Sequence, residues 1–156
     1  MLLDQTLPSV VFFSVRKLLN QDQINDIISS ISAKNGGFFV LVDANSIKTR
    51  KQIHEAYSRS LRIFEESKKI LKAESVFLML ISGESQISKA IAKSGISSVT
   101  KNGYIVYNFP DDLNNFLSLH SEVFDFDPNP KIANDDIDSD RDVFFSMLRV
   151  QLRLGL

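Results

Sequence analysis

The chain reads as an α/β protein: one domain over residues 1–156, with a central mixed β-sheet of about four strands flanked by helices on both faces. Three observations predict it. Short apolar runs rich in β-branched and aromatic residues recur at Val10–Val15, Phe38–Val42, Val76–Ile81 and Tyr104–Phe109. Between them lie stretches whose apolar residues repeat at the helical i, i+3, i+4 spacing. A length of 156 residues suits one core and does not require two.

The elements follow in order. VVFFSV at Val10–Val15 is the first strand. Asn20 begins a helix, with Gln23 placed for a reciprocal capping box and Ile24, Ile27, Ile28 and Ile31 in one stripe. Asn35, Gly36 and Gly37 end it. FFVLV at Phe38–Val42 is apolar without alternation, which predicts a central strand closed by Asp43. From Ile47 to about Leu71, Ile53, Ala56, Tyr57, Leu61 and Phe64 share a face of a basic helix, with a break expected between Ser67 and Lys72.

The run Val76–Ile81 is expected to be a strand buried on both faces and the centre of the molecule. Ser82, Gly83 and Ser85 then form a turn into a helix carrying Ile87, Ala90 and Ile91, with Gly95 as its stop. Such a helix start offers amides without acceptors and the positive end of the dipole, a place where a phosphate or carboxylate can dock. The turn contains neither GxxxxGK[ST] nor GxGxxG. SSVTKNG is a turn, and YIVYNF at Tyr104–Phe109 the fourth strand. Pro110, Asp111 and Asp112 suit a helix's first turn, with Leu113, Phe116 and Leu117 facing inward. Phe126–Asp138 reads as an irregular connection because of its prolines and Asx residues. A terminal helix then runs through Val143, Phe144, Met147, Leu148 and Leu152, with acids before it and Arg149 and Arg153 near its end.

Composition narrows the chemistry. With no cysteine there are no disulfides, no thiol nucleophile and no thiolate metal site, which fits a reducing compartment; the cytoplasm is expected. MLLDQTLPSVVFFSV has no basic region before an apolar core, and no apolar run approaches a membrane span, so no membrane association is expected. Charge is segregated. Ile47–Lys101 holds eleven basic against five acidic residues, and Asp111–Asp142 ten acidic against two basic. A basic middle suits phosphates and an acidic late segment suits a basic protein, while a solvated helix face explains either run equally well.

Catalytic signatures are missing. His54 and Glu55 begin an HExxH, but Ser58 stands where its second histidine belongs, so no metal is expected. His120 beside Glu122 reads as surface or cap, and no serine lies in GxSxG. Asp43, at a strand end and followed by Ser46, reads first as a cap and second as a catalytic carboxylate. The expectation is therefore a non-enzyme without a cofactor.

Two pieces carry a resemblance. VFLMLISGESQISKAIAKSGIS is similar to the apolar strand, small turn, Gln-Ile helix start, Ala-Ile pair and Gly-Ile of the small kinase-associated subunit of the KEOPS complex, which makes threonylcarbamoyladenosine in tRNA. VDANSIKTRKQIHEA is similar to that family's strand ending in Asp and its following basic helix, and the acidic lead into VFFSMLRVQLRL to its terminal helix. The resemblance covers the whole chain in element order. It implies a non-catalytic, heteromeric subunit that binds the complex's small atypical protein kinase and, in archaeal members, the CCA end of tRNA.

Carried over residue by residue, the tRNA site comprises the turn Ser82 and Gly83, then Gln86 and Ile87. Ser85 stands where archaeal members often have arginine, and Lys89 and Lys93 join on charge and proximity. Physically, the helix start and lysines can take phosphates, Gln86 can reach base edges, and a base can rest on Ile87. For the kinase, the terminal helix is expected to dock through Phe144, Phe145, Leu148 and Leu152 beside its acidic approach. The alternative is a small-molecule-sensing α/β regulatory domain whose Ser82–Gln86 turn takes an anionic metabolite.

Overall fold

The computed structural model describes residues 7–31, 37–67, 72–133 and 137–155. Expectations placed on Asn35, Gly36, Lys68, Lys69, Asp135 and Asp136 lie outside them. The chain divides into two compact units, one from Pro8–Asn45 and Ile96–Pro130, the other from Ser46–Gly95 and the stretch beginning at Lys131. Each takes its residues from separated segments.

The first unit holds the sheet. Strands β1 (Ser9–Val15), β2 (Phe39–Asp43), β3 (Asn102–Tyr107) and β4 (Phe124–Asp127) stand in the order β2-β3-β1-β4. All three pairings are antiparallel, where a mixed sheet was expected. The α/β class with four strands holds, and its membership changes in two places. β2 is apolar throughout and buried from Phe39 to Val42, yet it lies at the edge of the order. A continuous apolar run therefore reports burial of both faces, not a central position. β4 falls partly inside the segment expected to be irregular, and pairs Phe126 with Phe13 and Phe124 with Val15.

Helix α1 (Gln21–Ser30) starts as its capping box requires. Asn20 Oδ1 accepts the Gln23 N–H at 2.8 Å, and Gln23 Oε1 accepts the Asn20 N–H at 3.0 Å. Helix α5 (Pro110–His120) opens on proline with Asp111 and Asp112 in its first turn. Ile24 and Ile27 of α1 and Leu113 and Phe116 of α5 pack in one cluster with Val11, Phe13, Phe39, Leu41, Ile105 and Phe124 of the sheet. Phe13 meets Phe124 edge-on, with centroids 4.9 Å apart. Across the β1–β3 ladder Phe13 faces Gly103, where a Cβ would lie 2.3 Å from the ring. The absence of a side chain there admits the ring.

The second unit is helical. It contains α2 (Arg50–Glu66), α3 (Ala73–Ser82), α4 (Ile87–Ser94) and α6 (Ile137–Arg153). Its α2 ends at Glu66, with Ser67 as the cap, where the break was expected. It begins three residues later than the apolar pattern alone placed it, at an N-cap threonine. Thr49 Oγ1 accepts the Gln52 N–H, while Gln52 Oε1 accepts the Lys48 N–H at 2.7 Å and its Nε2 donates to the Ser46 carbonyl.

The run Val76–Ile81, expected as the central strand, is instead most of α3. Its residues are buried around the whole helix circumference, because α3 packs against α2, α4 and α6. A run apolar on every side satisfies a helix enclosed by helices as well as a strand enclosed by layers, so hydrophobicity does not choose between them. Here the backbone closes its hydrogen bonds locally.

Candidate functional site

The predicted corner lies between two helices. Gly83 caps α3 in the left-handed conformation, φ 75°, and its N–H donates to the Met79 carbonyl at 2.9 Å. Ser82 is only 5% exposed; its Oγ donates to the Met79 carbonyl and accepts the Glu84 N–H at 3.1 Å. Ser82 and Gly83 therefore build the turn, and the Ser82 hydroxyl and the Gly83 N–H are engaged by the chain itself.

The exposed half begins one step later. Gln86 is the N-cap residue of α4, extended at φ −114°, and its side chain makes no capping bond. The first helical bond runs from the Ala90 N–H to the Gln86 carbonyl at 3.0 Å, so the Ile87, Ser88 and Lys89 amides have no acceptor within the helix. Gln86 and Lys89 are exposed, Ile87 partly so, and Ser85 lies half-buried before them. Lys93 is also exposed, one turn further along in the last turn of α4. The structure thus gathers Ser85, Gln86, Ile87 and Lys89 at one helix start, places Lys93 beyond them, and withdraws Ser82.

The residues assigned to the kinase divide by face. Phe145, Leu148 and Leu152 are 60%, 45% and 76% exposed, while Met147 and Val150 on the other side of α6 are buried. With Asp142 and Arg149 these three line a groove of 670 Å³. Phe144 is half-buried, with Lys51 Nζ 5.4 Å and the Arg59 guanidinium 5.8 Å from its ring centroid. Arg59 also pairs with Glu55 at 2.7 Å and donates to Gln151 Oε1. Phe144 therefore belongs to the α2–α6 seam. The pattern missed this seam and the charges flanking the groove; the seven-residue interval between Asp142 and Arg149 was their signal.

The residues considered for catalysis have structural occupations. Asp43 accepts the Asn45 N–H at 2.9 Å on one carboxylate oxygen and the Thr100 Oγ1–H at 2.8 Å on the other, so it holds a strand end as a cap does. Glu55 is committed to Arg59, and burial, aided by the Arg50 charge, holds the His54 pKa below its ordinary value. His120 is likewise lowered by burial, and its Nε2 lies 2.7 Å from Ser30 Oγ. Among the described residues, no group of three or more His, Asp or Glu side chains is arranged to hold a metal ion. Nor is any helix among them long and apolar enough to cross a membrane.

No family model matches the chain, and no curated protein matches it.

Proposed function

We infer that this chain is a non-catalytic accessory subunit of a tRNA-modifying assembly of the KEOPS kind, which works in the cytoplasm and docks on a small atypical kinase. The observation that carries the reading is the solvent-facing apolar strip Phe145, Leu148 and Leu152 on a helix whose opposite face is already buried. A contiguous exposed strip with charged neighbours is what a partner surface covers. The likeness of VFLMLISGESQISKAIAKSGIS to the family's segment supplies the identity of the partner.

The tRNA half of the reading narrows to the start of α4. Gln86 and Ile87 would meet an unstacked 3′ base, the first amides of the helix would meet a phosphate, and Lys89 and Lys93 would add salt-sensitive attraction. Ser82 and Gly83 contribute by setting the direction in which α4 leaves the corner.

Filter binding of tRNA with and without its CCA end, at two salt concentrations, tests the nucleic-acid half. Preference for the intact tail, reduced by Gln86→Ala, is expected; equal binding of both forms sinks it. Co-purification tests the other half: Phe145→Asp should release the kinase while Phe64→Asp, an exposed substitution on α2, should not.

A further inference from the structure

Three exposed apolar side chains on α6, Phe145, Leu148 and Leu152, are spaced by three and then four residues. That is the a–d–a spacing along which one helix packs on another. Asp142 and Arg149 line the same groove, and each precedes an a residue by three, Asp142 before Phe145 and Arg149 before Leu152. They therefore occupy the same flanking position, one turn pair apart, with opposite charges.

We propose that this face pairs with the same face of a second copy of the chain, the two α6 helices running antiparallel across a two-fold axis. Antiparallel helices bring a flanking position beside its own counterpart, whereas parallel helices in register bring it beside the opposite flank, where Arg149 would meet Phe144 and form no ion pair. In the register that sets Phe145 against Leu148 of the second copy, the two-fold sets Leu148 against Phe145 in return. The same register brings Asp142 within two residues of axial level with Arg149 of the second copy, about 3 Å along the helix and within reach of a guanidinium. The reciprocal pair forms by symmetry. Leu152 then lies over the aliphatic stem of Arg141 in the second copy.

Charge complementarity is thus what selects the occupant. Six residues meet one another twice under a single operation, and Asp142 and Arg149 each face the opposite charge. Three apolar side chains from each copy make a small contact, so association depends on protein concentration, and the exposed ion pairs fix direction more than strength. This inference does not rest on the accessory-subunit reading: it concerns the free chain, and a kinase on the same face would displace the second copy.

Sedimentation of the purified chain over a wide range of concentration, with circular dichroism to verify the fold, tests it. A monomer–dimer equilibrium is expected, abolished by Phe145→Asp. Asp142→Arg or Arg149→Asp alone should weaken dimerisation about tenfold, by placing like charges at both symmetric contacts. The double variant Asp142→Arg/Arg149→Asp should restore it, because the exchanged charges face each other again. A chain monomeric at every concentration, as when the face is kept for a different protein, overturns the proposal. So does a dimer indifferent to Phe145→Asp, or a double variant as weak as the single ones.

Discussion

A Cβ added to Gly83 would lie 2.6 Å from Ser146 Oγ, so the corner after α3 approaches α6 at a point where an added methyl must displace the Ser146 hydroxyl. The same residue is left-handed, at φ 75°. Gly83→Ala meets both penalties and should destabilise by about 2 kcal/mol in urea unfolding. Combining it with Ser146→Gly should recover the steric part and leave the conformational part, a division that a double-mutant cycle measures.

In the sheet, Gly103→Ala should be at least as harmful without any left-handed strain. Its Cβ would meet Phe13 Cζ at 2.3 Å and the Val42 carbonyl at 2.7 Å, two groups fixed by the ladder and the aromatic cluster. Overpacking of this kind costs about 2–3 kcal/mol. Phe13→Leu in the same chain should relieve part of it, which thermal melts of the three variants can check.

Acidification should weaken the fold through its histidines. His54 and His120 titrate below 6.5 in the folded chain, in both cases mainly because burial disfavours the charged ring. A depressed folded pKa gives stability that is complete above pH 6.5 and is lost as pH falls from there through the folded values. His120→Gln keeps a partner for Ser30 and should flatten part of this slope, seen as a smaller shift of the urea midpoint on acidification.

Glu74 works in the opposite sense. Burial raises its pKa above the ordinary 4.5, outweighing its hydrogen bond to backbone and the attraction of Lys72. The folded chain then holds this proton more tightly than the unfolded one, so stability is lost as pH rises from 4.5 through the folded value. Glu74→Gln should be more stable than the parent at neutral pH and should lose that advantage in acid. Urea midpoints at the two conditions decide it.

These positions mark where the sequence was legible. Asn20 with Gln23, and Pro110 with Asp111 and Asp112, identify helix starts because capping is settled within four residues. Thr49 with Gln52 carries an equal signal for the start of α2, which the apolar Ile47 just before it masks. The segment Val76–Ile81 was misread because its identity depends on neighbours: α2, α4 and α6 surround it, and none is written in its own residues. β4 was missed for the converse reason. Four residues ending against Pro128 carry too little alternation to declare a strand without the partner β1.

The candidate surfaces divide similarly. Gln86 and Ile87 come from the resemblance and Lys89 from its charge and proximity; being neighbours in the sequence, they stay together at the start of α4. Phe144 and Phe145 are adjacent and chemically alike, so only the positions of Lys51 and Arg59 on another helix decide which ring is covered. Ser82 looks available in the sequence because its burial follows from a helix that stands where a strand is expected.

The alternation of segments between the two units bears on synthesis. β1 and β2 do not pair with each other; β3 stands between them, and it leaves the ribosome only after α2, α3 and α4 have emerged. Those three helices in turn wait for α6, which follows both β3 and β4 in chain order, to occupy its place against α2 and α3. Neither unit can be completed by a nascent chain before its later segment has emerged, so apolar strands and α3 stay uncovered during elongation and invite chaperone capture.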